Sequence, residues 1–296
     1  MYIINLEYKD GDDNLNIRKL ITVFLVCILF IGVLCYYGIY ISYNNLTENN
    51  YTIESKKIDN DINLIIISDL HDNELGENNI NLVEKIKSKS PDMVLVVGDM
   101  VNDNSYNSNI VVDFLKQISL TIPVYYSLGN TEEDYIKVNT SNLIEELEDI
   151  NVTVLNNEYK DVKINNTTIR VGGMYDYAFG VENKKVYNFL CDFQDTKNYK
   201  IMMAHRPDSF IFGDASEVWD IDLVVSGHTH GGQVRVPFMG GLYVGDQGYF
   251  PMYDKGLFDL NKIKILITSG LGSGKEKIPR FNNIPEVVNL KITNKS

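Results

Sequence analysis

The chain has 296 residues, enough for one large domain or two small ones. Its formal net charge of -13 repels phosphate backbones, which excludes broad nucleic-acid binding. Its three cysteines exclude a disulfide framework: Cys27 and Cys35 lie about 12 Å apart on any helix, and Cys191 stands alone.

Residues 1–19 are polar and end in Arg18-Lys19, whereas residues 20–43 carry no charge at all. A membrane-spanning helix needs about 20 mostly apolar residues, and the core of a cleavable signal peptide has roughly 7–15. The run is therefore predicted to be an uncleaved transmembrane anchor. Tyr36, Tyr37, Tyr40 and Tyr43 gather at its C-terminal end, as interface aromatics do. Arg18 and Lys19 predict a cytoplasmic N-terminal tail and a single pass through the cell membrane, with the remainder extracytoplasmic. Residues 44–60 read as a polar linker and 61–296 as the globular domain.

In that domain, apolar runs at 62–69, 92–99, 123–130, 199–206 and 220–228 read as buried strands, as do 262–270 and 286–292. Helical spacing at 77–89, 108–118 and 141–149 separates the early ones. This alternation predicts an α/β domain. The stretch 151–175 reads instead as adjacent antiparallel strands around an Asn-rich turn, which favours mixed sheets.

The chemistry-bearing residues sit where those runs end. They are Asp69 and His71, Asp99, Asn130, His205, and His228 with His230. All four histidines of the chain fall in this set. Ligands at strand ends converge at one edge of an α/β sheet. In an extended segment, alternate residues such as Asp69 and His71, or His228 and His230, point the same way. One carboxylate can bridge two ions, and Asp99 is the natural candidate. Imidazoles and carboxylates without thiolates suit Mn, Fe or Zn.

The order Asp69-x-His71, Gly98-Asp99, Gly129-Asn130, His205, Gly227-His228-x-His230 resembles the calcineurin-like metallophosphoesterase superfamily over roughly residues 62–292. The run Ser226–Pro237 and the tail holding Ser269–Ser273 and Ile278–Asn282 are similar to its bacterial membrane-associated YkuE/YaeI-like branch. The resemblance implies a four-layer αββα sandwich of two mixed sheets. It also implies two divalent metal ions, one held by Asp69, His71, Asp99 and His230, the other by Asp99, Asn130, His205 and His228. The implied reaction is hydrolysis of a phosphate ester or anhydride by a metal-bridging hydroxide. The implied substrate is a phosphorylated small molecule or lipid, of phosphodiesterase or pyrophosphatase type.

One position departs from the pattern. The family has His after the motif Asn, and this chain has Thr131, followed by a matching Glu132. That His can protonate the leaving oxygen, help worth about 10²–10⁴-fold. The catalytic set is therefore expected to be Asp99, Asn130, Thr131 and Arg206, with Arg280 a further candidate for touching substrate. A metal- and phosphate-binding module without efficient turnover is the alternative.

Overall fold

The computed structural model describes residues 10–175, 184–273 and 279–295. Helix α1 (Asp10–Asn44) opens the chain. From Ile17 to Asn44 it is long and apolar enough to cross a membrane, with mean hydropathy 2.7 and its most apolar 18-residue window unburied, while Gly38 and Ser42 near its end pack against the domain.

The elements that follow are β1 (Thr47–Ser55), β2 (Ile62–Ile67), α2 (Ile80–Lys87), β3 (Met93–Val97), α3 (Asn109–Ser119), β4 (Val124–Ser127), α4 (Asn130–Asn139), α5 (Leu143–Glu148) and β5 (Val152–Leu155). Next come β6 (Glu158–Ile164), β7 (Thr167–Met174), α6 (Lys184–Gln194), β8 (Tyr199–Ala204), α7 (Asp208–Ile211), α8 (Ala215–Val218) and β9 (Leu223–Ser226). The short strands β10 (Arg235–Val236), β11 (Gly240–Gly241), β12 (Tyr243–Val244) and β13 (Gly248–Tyr249) precede β14 (Gly256–Leu260), β15 (Ile263–Ile267) and β16 (Glu286–Asn294).

Two mixed six-stranded sheets result, ordered β1-β16-β2-β3-β4-β5 and β14-β15-β9-β8-β7-β6. In the first, β2 to β5 run parallel and β16 pairs antiparallel to β2. In the second, β15, β9, β8 and β7 run parallel between antiparallel edges.

The layering follows from the two-residue period of strand side chains. Ile65 and Ile67 of β2 face the core shared with α2, α3 and α5, while Leu64 and Ile66 face the core between the sheets. Ile201 and Met203 of β8 also face that middle core, and Met202 and Ala204 pack outward on Phe189 and Phe193 of α6. Each central strand is apolar on both faces because both are covered, as parallel sheets require.

Two expectations change. Residues 44–60 are not a bare linker: β1 pairs in parallel with β16 along its whole length and forms the edge of the first sheet. Its sequence, TENNYTIES, buries only Ile53 fully, so the strand carried no apolar alternation to read. The stretch 151–175 divides between sheets. β6 and β7 form the expected hairpin, with Asn165 at positive φ in the turn, whereas β5 joins the first sheet parallel to β4.

Candidate metal centre

Every proposed ligand lies just past a strand: Asp69 after β2, Asp99 after β3, Asn130 after β4, His205 after β8 and His228 after β9. The two sheets bring these ends together at one edge of the sandwich. Asp69, His71 and His230 offer donor atoms within 4.8 Å of one another, and so do Asp99, His205 and His228. The His71 and His230 rings stack at 5.2 Å, and the His205 and His228 rings meet edge-on at 5.3 Å.

The route to this convergence differs from the sequence expectation. Neither Asp69-x-His71 nor His228-x-His230 is extended. Asp69 (φ 52), His71 (φ 50), Asp99 (φ 54), His228 (φ 69) and His230 (φ 48) all adopt left-handed backbone. Such conformations cost of order 1–3 kcal/mol each for side-chain-bearing residues and persist only where the surroundings fix them. Gly98 makes the turn possible, since at φ 75 its absent Cβ would stand 2.5 Å from the Gly129 nitrogen.

Buried hydrogen bonds hold the donors. Glu132, wholly buried in α4, accepts from the N–H groups of Asp99 (2.8 Å), Met100 (2.5 Å) and Gly129 (2.8 Å), and from the Tyr126 hydroxyl (2.7 Å). Burial, and then the neighbouring Asp99 carboxylate, raise its pKa against the pull of those donors. The Thr131 N–H donates to Asp99 Oδ1 at 3.0 Å, leaving Asp99 Oδ2 turned toward the histidines. Asp69 is engaged on both oxygens, by the His228 N–H and the Ser68 hydroxyl.

His205 Nδ1 lies 2.7 Å from the Val97 carbonyl, and His71 Nδ1 lies 3.2 Å from Asn102 Oδ1. Both acceptors fix a ring proton on Nδ1, so that Nε2 is the nitrogen each ring turns toward the centre. Those Nε2 atoms are buried and make no hydrogen bond. They face Asp99 Oδ2 at 3.2 Å (His205) and 3.8 Å (His71), and Asp69 Oδ1 at 3.9 and 4.0 Å. Unpartnered buried nitrogens beside carboxylates fit a cation, which would satisfy both at once.

The electrostatics agree. Burial drives His228 and His230 down to about 4, so both are neutral near pH 7. For His205 burial acts the same way, but the Asp99 carboxylate outweighs it and raises the imidazole to about 10. Burial also opposes Asp99 ionisation, yet His205 holds its carboxyl well below the usual range. Without a cation, then, Asp99 and His205 neutralise each other.

Asn130 opens α4 and its Oδ1 accepts from Arg206 Nε at 3.4 Å. The Thr131 hydroxyl is buried without a hydrogen bond. Arg280 does not reach out to a ligand. It is 1% exposed, and it donates to the carbonyls of Asn283 (3.0 Å), Gly272 (2.5 Å) and Ser269 (2.8 Å). Three residues near the centre were not foreseen. Asn102 orients His71, while Asp208 and Asp246 form a third donor group with His228. Asp208 follows His205 by three positions, a faint signal; Asn102 and Asp246 gave none.

Two cavities flank the centre. One, about 250 Å³, runs from His228 and His230 to Val234, Leu242 and Tyr243. The other, about 260 Å³, lies between His71 and the α1 residues Ser42 and Tyr43.

Residues 62–232 match the model of the calcineurin-like phosphoesterase family. The chain belongs to this family. It is 30% identical over 274 residues to an uncharacterized metallophosphoesterase of Campylobacter jejuni, covering 89% of this chain and 67% of the relative. It is 30% identical to phosphodiesterase YaeI of Escherichia coli, covering 69% and 71%, and 24% identical to the uncharacterized metallophosphoesterase YkuE of Bacillus subtilis, covering 87% and 90%. The protein is thus a metallophosphoesterase, a hydrolase whose family binds paired metals, with His and Asp clusters suited to hold them.

Proposed function

We propose that the protein is a membrane-anchored hydrolase of lipid-linked phosphodiesters or pyrophosphates that works with two divalent cations, Mn, Fe or Zn. Asp69, His71, Asp99 and His230 would hold one; Asp99, Asn130, His205 and His228 would hold the other. The observation that carries this reading is Asp99 Oδ2, which faces Nε2 of His71 and of His205, one from each donor set. Its partner oxygen is taken by the Thr131 N–H, so Oδ2 is the atom left to be shared. When bound, the cations supply Lewis acidity toward phosphoryl oxygens and lower the pKa of water.

The chain's own groups do the rest. Val97 and Asn102 keep the Nδ1 protons of His205 and His71 in place. Arg206, steadied by Asn130, offers a guanidinium to a phosphate oxygen. The Thr131 hydroxyl can donate a hydrogen bond but is a poor proton donor near neutral pH. A site so built favours leaving groups that depart without a proton. Anhydrides and aryl esters meet that condition better than alkyl esters. The apolar stretch Ile17–Asn44 supports the anchor, and Arg18 with Lys19 supports a cytoplasmic N-terminus with the domain outside.

The test uses the full chain in detergent with Mn²⁺ and three substrates: a pyrophosphate diester, a bis-aryl phosphate and an alkyl phosphodiester. Asp99→Ala should lower turnover of all three by about 10³-fold or more together with metal content. Thr131→His should raise alkyl diester turnover by about 10²–10⁴-fold and change the anhydride much less. Bound metal with no turnover of any substrate until Thr131→His is made would favour the binding-module reading. Failure to bind metal would sink both.

A further inference from the structure

The end of α1 is gripped by the domain inside its uncharged stretch. The Gly38 carbonyl accepts from the Asn282 N–H at 3.0 Å, and Ser42 Oγ, fully buried, accepts from the Asn283 N–H at 3.0 Å. The Tyr43 hydroxyl accepts from the Arg280 N–H at 3.2 Å. The Phe281 ring lies so close to Gly38 that a Cβ there would stand 2.5 Å from it. At 1.5 Å rise per residue, Gly38 lies about 9 Å before the last residue of the helix. The segment that holds it therefore reaches the depth at which a spanning helix enters the lipid.

That segment is bonded on its other side to a hairpin. The Arg235 N–H donates to the Phe281 carbonyl at 2.9 Å, and the Asn282 side chain donates to the Arg235 carbonyl at 3.3 Å. Arg235–Val236 then pairs with Gly240–Gly241, with Pro237, Phe238 and Met239 at the tip. Phe238 stands fully in solvent, and Met239 is 59% exposed. Phe238 also takes φ 68, a costly conformation for an aromatic residue that gains no packing in return. Residues 236–245 contain no charge, and exposed Tyr249, Phe250 and Met252 follow. Three extended residues span at most about 11 Å, so Phe238 stays close beside α1.

We propose that this hairpin is a second membrane contact: Phe238 and Met239 enter the bilayer interface next to α1 and hold the metal-centre face against the lipid surface. The proposal rests on α1 spanning a membrane, as argued above. Exposed apolar patches mark interaction surfaces, and aromatics settle at the lipid–water boundary. A bilayer is the occupant selected here because the patch continues, through Phe281 and Asn282, from the membrane-crossing stretch itself. The hairpin starts five residues after His230, whose carbonyl accepts from Asn283 Nδ2 at 2.6 Å. The cavity between the metal donors and Leu242, Tyr243 and Val234 is thereby turned toward lipid headgroups, so a phosphoester carried by a membrane amphiphile reaches the donors without leaving the bilayer.

The test reconstitutes the full chain in phosphatidylcholine–phosphatidylglycerol vesicles with or without brominated acyl chains. Wild type carries one tryptophan, Trp219, packed in the outer core of the second sheet. Its emission should be insensitive to bromine. Phe238→Trp and, separately, Leu29→Trp should each add emission that bromine quenches by about twofold or more, as interfacial and spanning indoles do. Quenching of Leu29→Trp without quenching of Phe238→Trp would overturn the hairpin contact and leave the anchor standing. Quenching of neither would remove both. A Phe238→Trp signal that bromine leaves alone but that shifts with protein dilution would assign the hairpin to a second copy instead and overturn the proposal. Turnover of a bis-aryl phosphate in detergent reports the hydrolase reading independently, and Phe238→Ser should leave it within about twofold, the behaviour of a surface change remote from the chemistry.

Discussion

Glu132 and Arg280 each bury a charge beneath the metal centre and saturate it with main-chain groups, from opposite sides of the hydrogen bond. Glu132 collects N–H groups from the turns after β3 and β4, which carry Asp99 and Asn130. Arg280 supplies N–H groups to the carbonyls of Ser269, Gly270, Gly272 and Asn283, in the loop that grips α1 and His230. The first therefore fixes donors, and the second fixes the join between donors and helix α1. A turn in left-handed backbone points its amides inward and needs an anion, whereas a loop that exposes carbonyls needs a cation with several donors.

Breaking the anionic clamp should cost most. Glu132→Ala leaves four N–H groups (Asp99, Met100, Val101 and Gly129) and a phenol unsatisfied in the core, each worth about 1–3 kcal/mol. A stability loss of about 3–5 kcal/mol by urea unfolding is expected, with loss of metal, as for removal of one partner from a buried charged network. Glu132→Gln keeps the shape but exchanges an acceptor for a donor, and should cost less. If both variants unfold like wild type, the clamp is unimportant. The cationic side is expected to be weaker. Arg280→Lys retains charge but cannot reach four carbonyls from one point, and should cost about 2–3 kcal/mol while metal content is preserved. Equal loss of metal in Arg280→Lys and Glu132→Gln would erase the distinction drawn between the two clamps.

How much of this was legible follows the same division. Side chains that change the identity of a motif could be read, so Asp69, His71, Asp99, Asn130, His205, His228 and His230 stood out at strand ends. The two sheets were legible because central strands are apolar on both faces. Groups that act through the main chain left weaker marks. Arg280 looked like a substrate contact because sequence shows its charge and not the carbonyls that consume it. β1 looked like a linker because an edge strand needs only one buried residue, Ile53, to hold its place. Asn102 had no mark at all, since its distance from His71 in the chain says nothing of the 3.2 Å between them.

Asn102 gives the next, smaller test of donor preorganisation. Asn102→Ala removes the acceptor that fixes the His71 tautomer and should weaken Mn²⁺ binding by about 10–100-fold, the usual cost of losing a ligand's orienting partner. Val97 offers its carbonyl to His205 in the same way, but a carbonyl cannot be deleted, so that side is reached through protons instead.

His205, raised to about 10 by Asp99, is protonated at pH 7 in the metal-free fold, while His228 and His230, lowered to about 4, are not. A cation must displace the Nε2 proton of His205 and none from the other two. Calorimetric titration with Mn²⁺ at pH 7 in buffers of different ionisation enthalpy should therefore show release of about one proton from these three groups, and affinity should tighten up to about tenfold per unit as pH rises from 7 toward 9. The fold without metal should respond with the opposite sign. A raised His pKa contributes stability that is fully present below the unfolded value near 6.5 and is lost as pH rises toward 10. Metal-free protein should thus lose stability across the pH range in which metal binding strengthens. His205→Gln keeps a group that can bond the Val97 carbonyl but carries no titrating proton, and should flatten both slopes together. If only one slope flattens, the proton displaced by metal comes from elsewhere, and the pairing of Asp99 with His205 is not what holds the empty centre neutral.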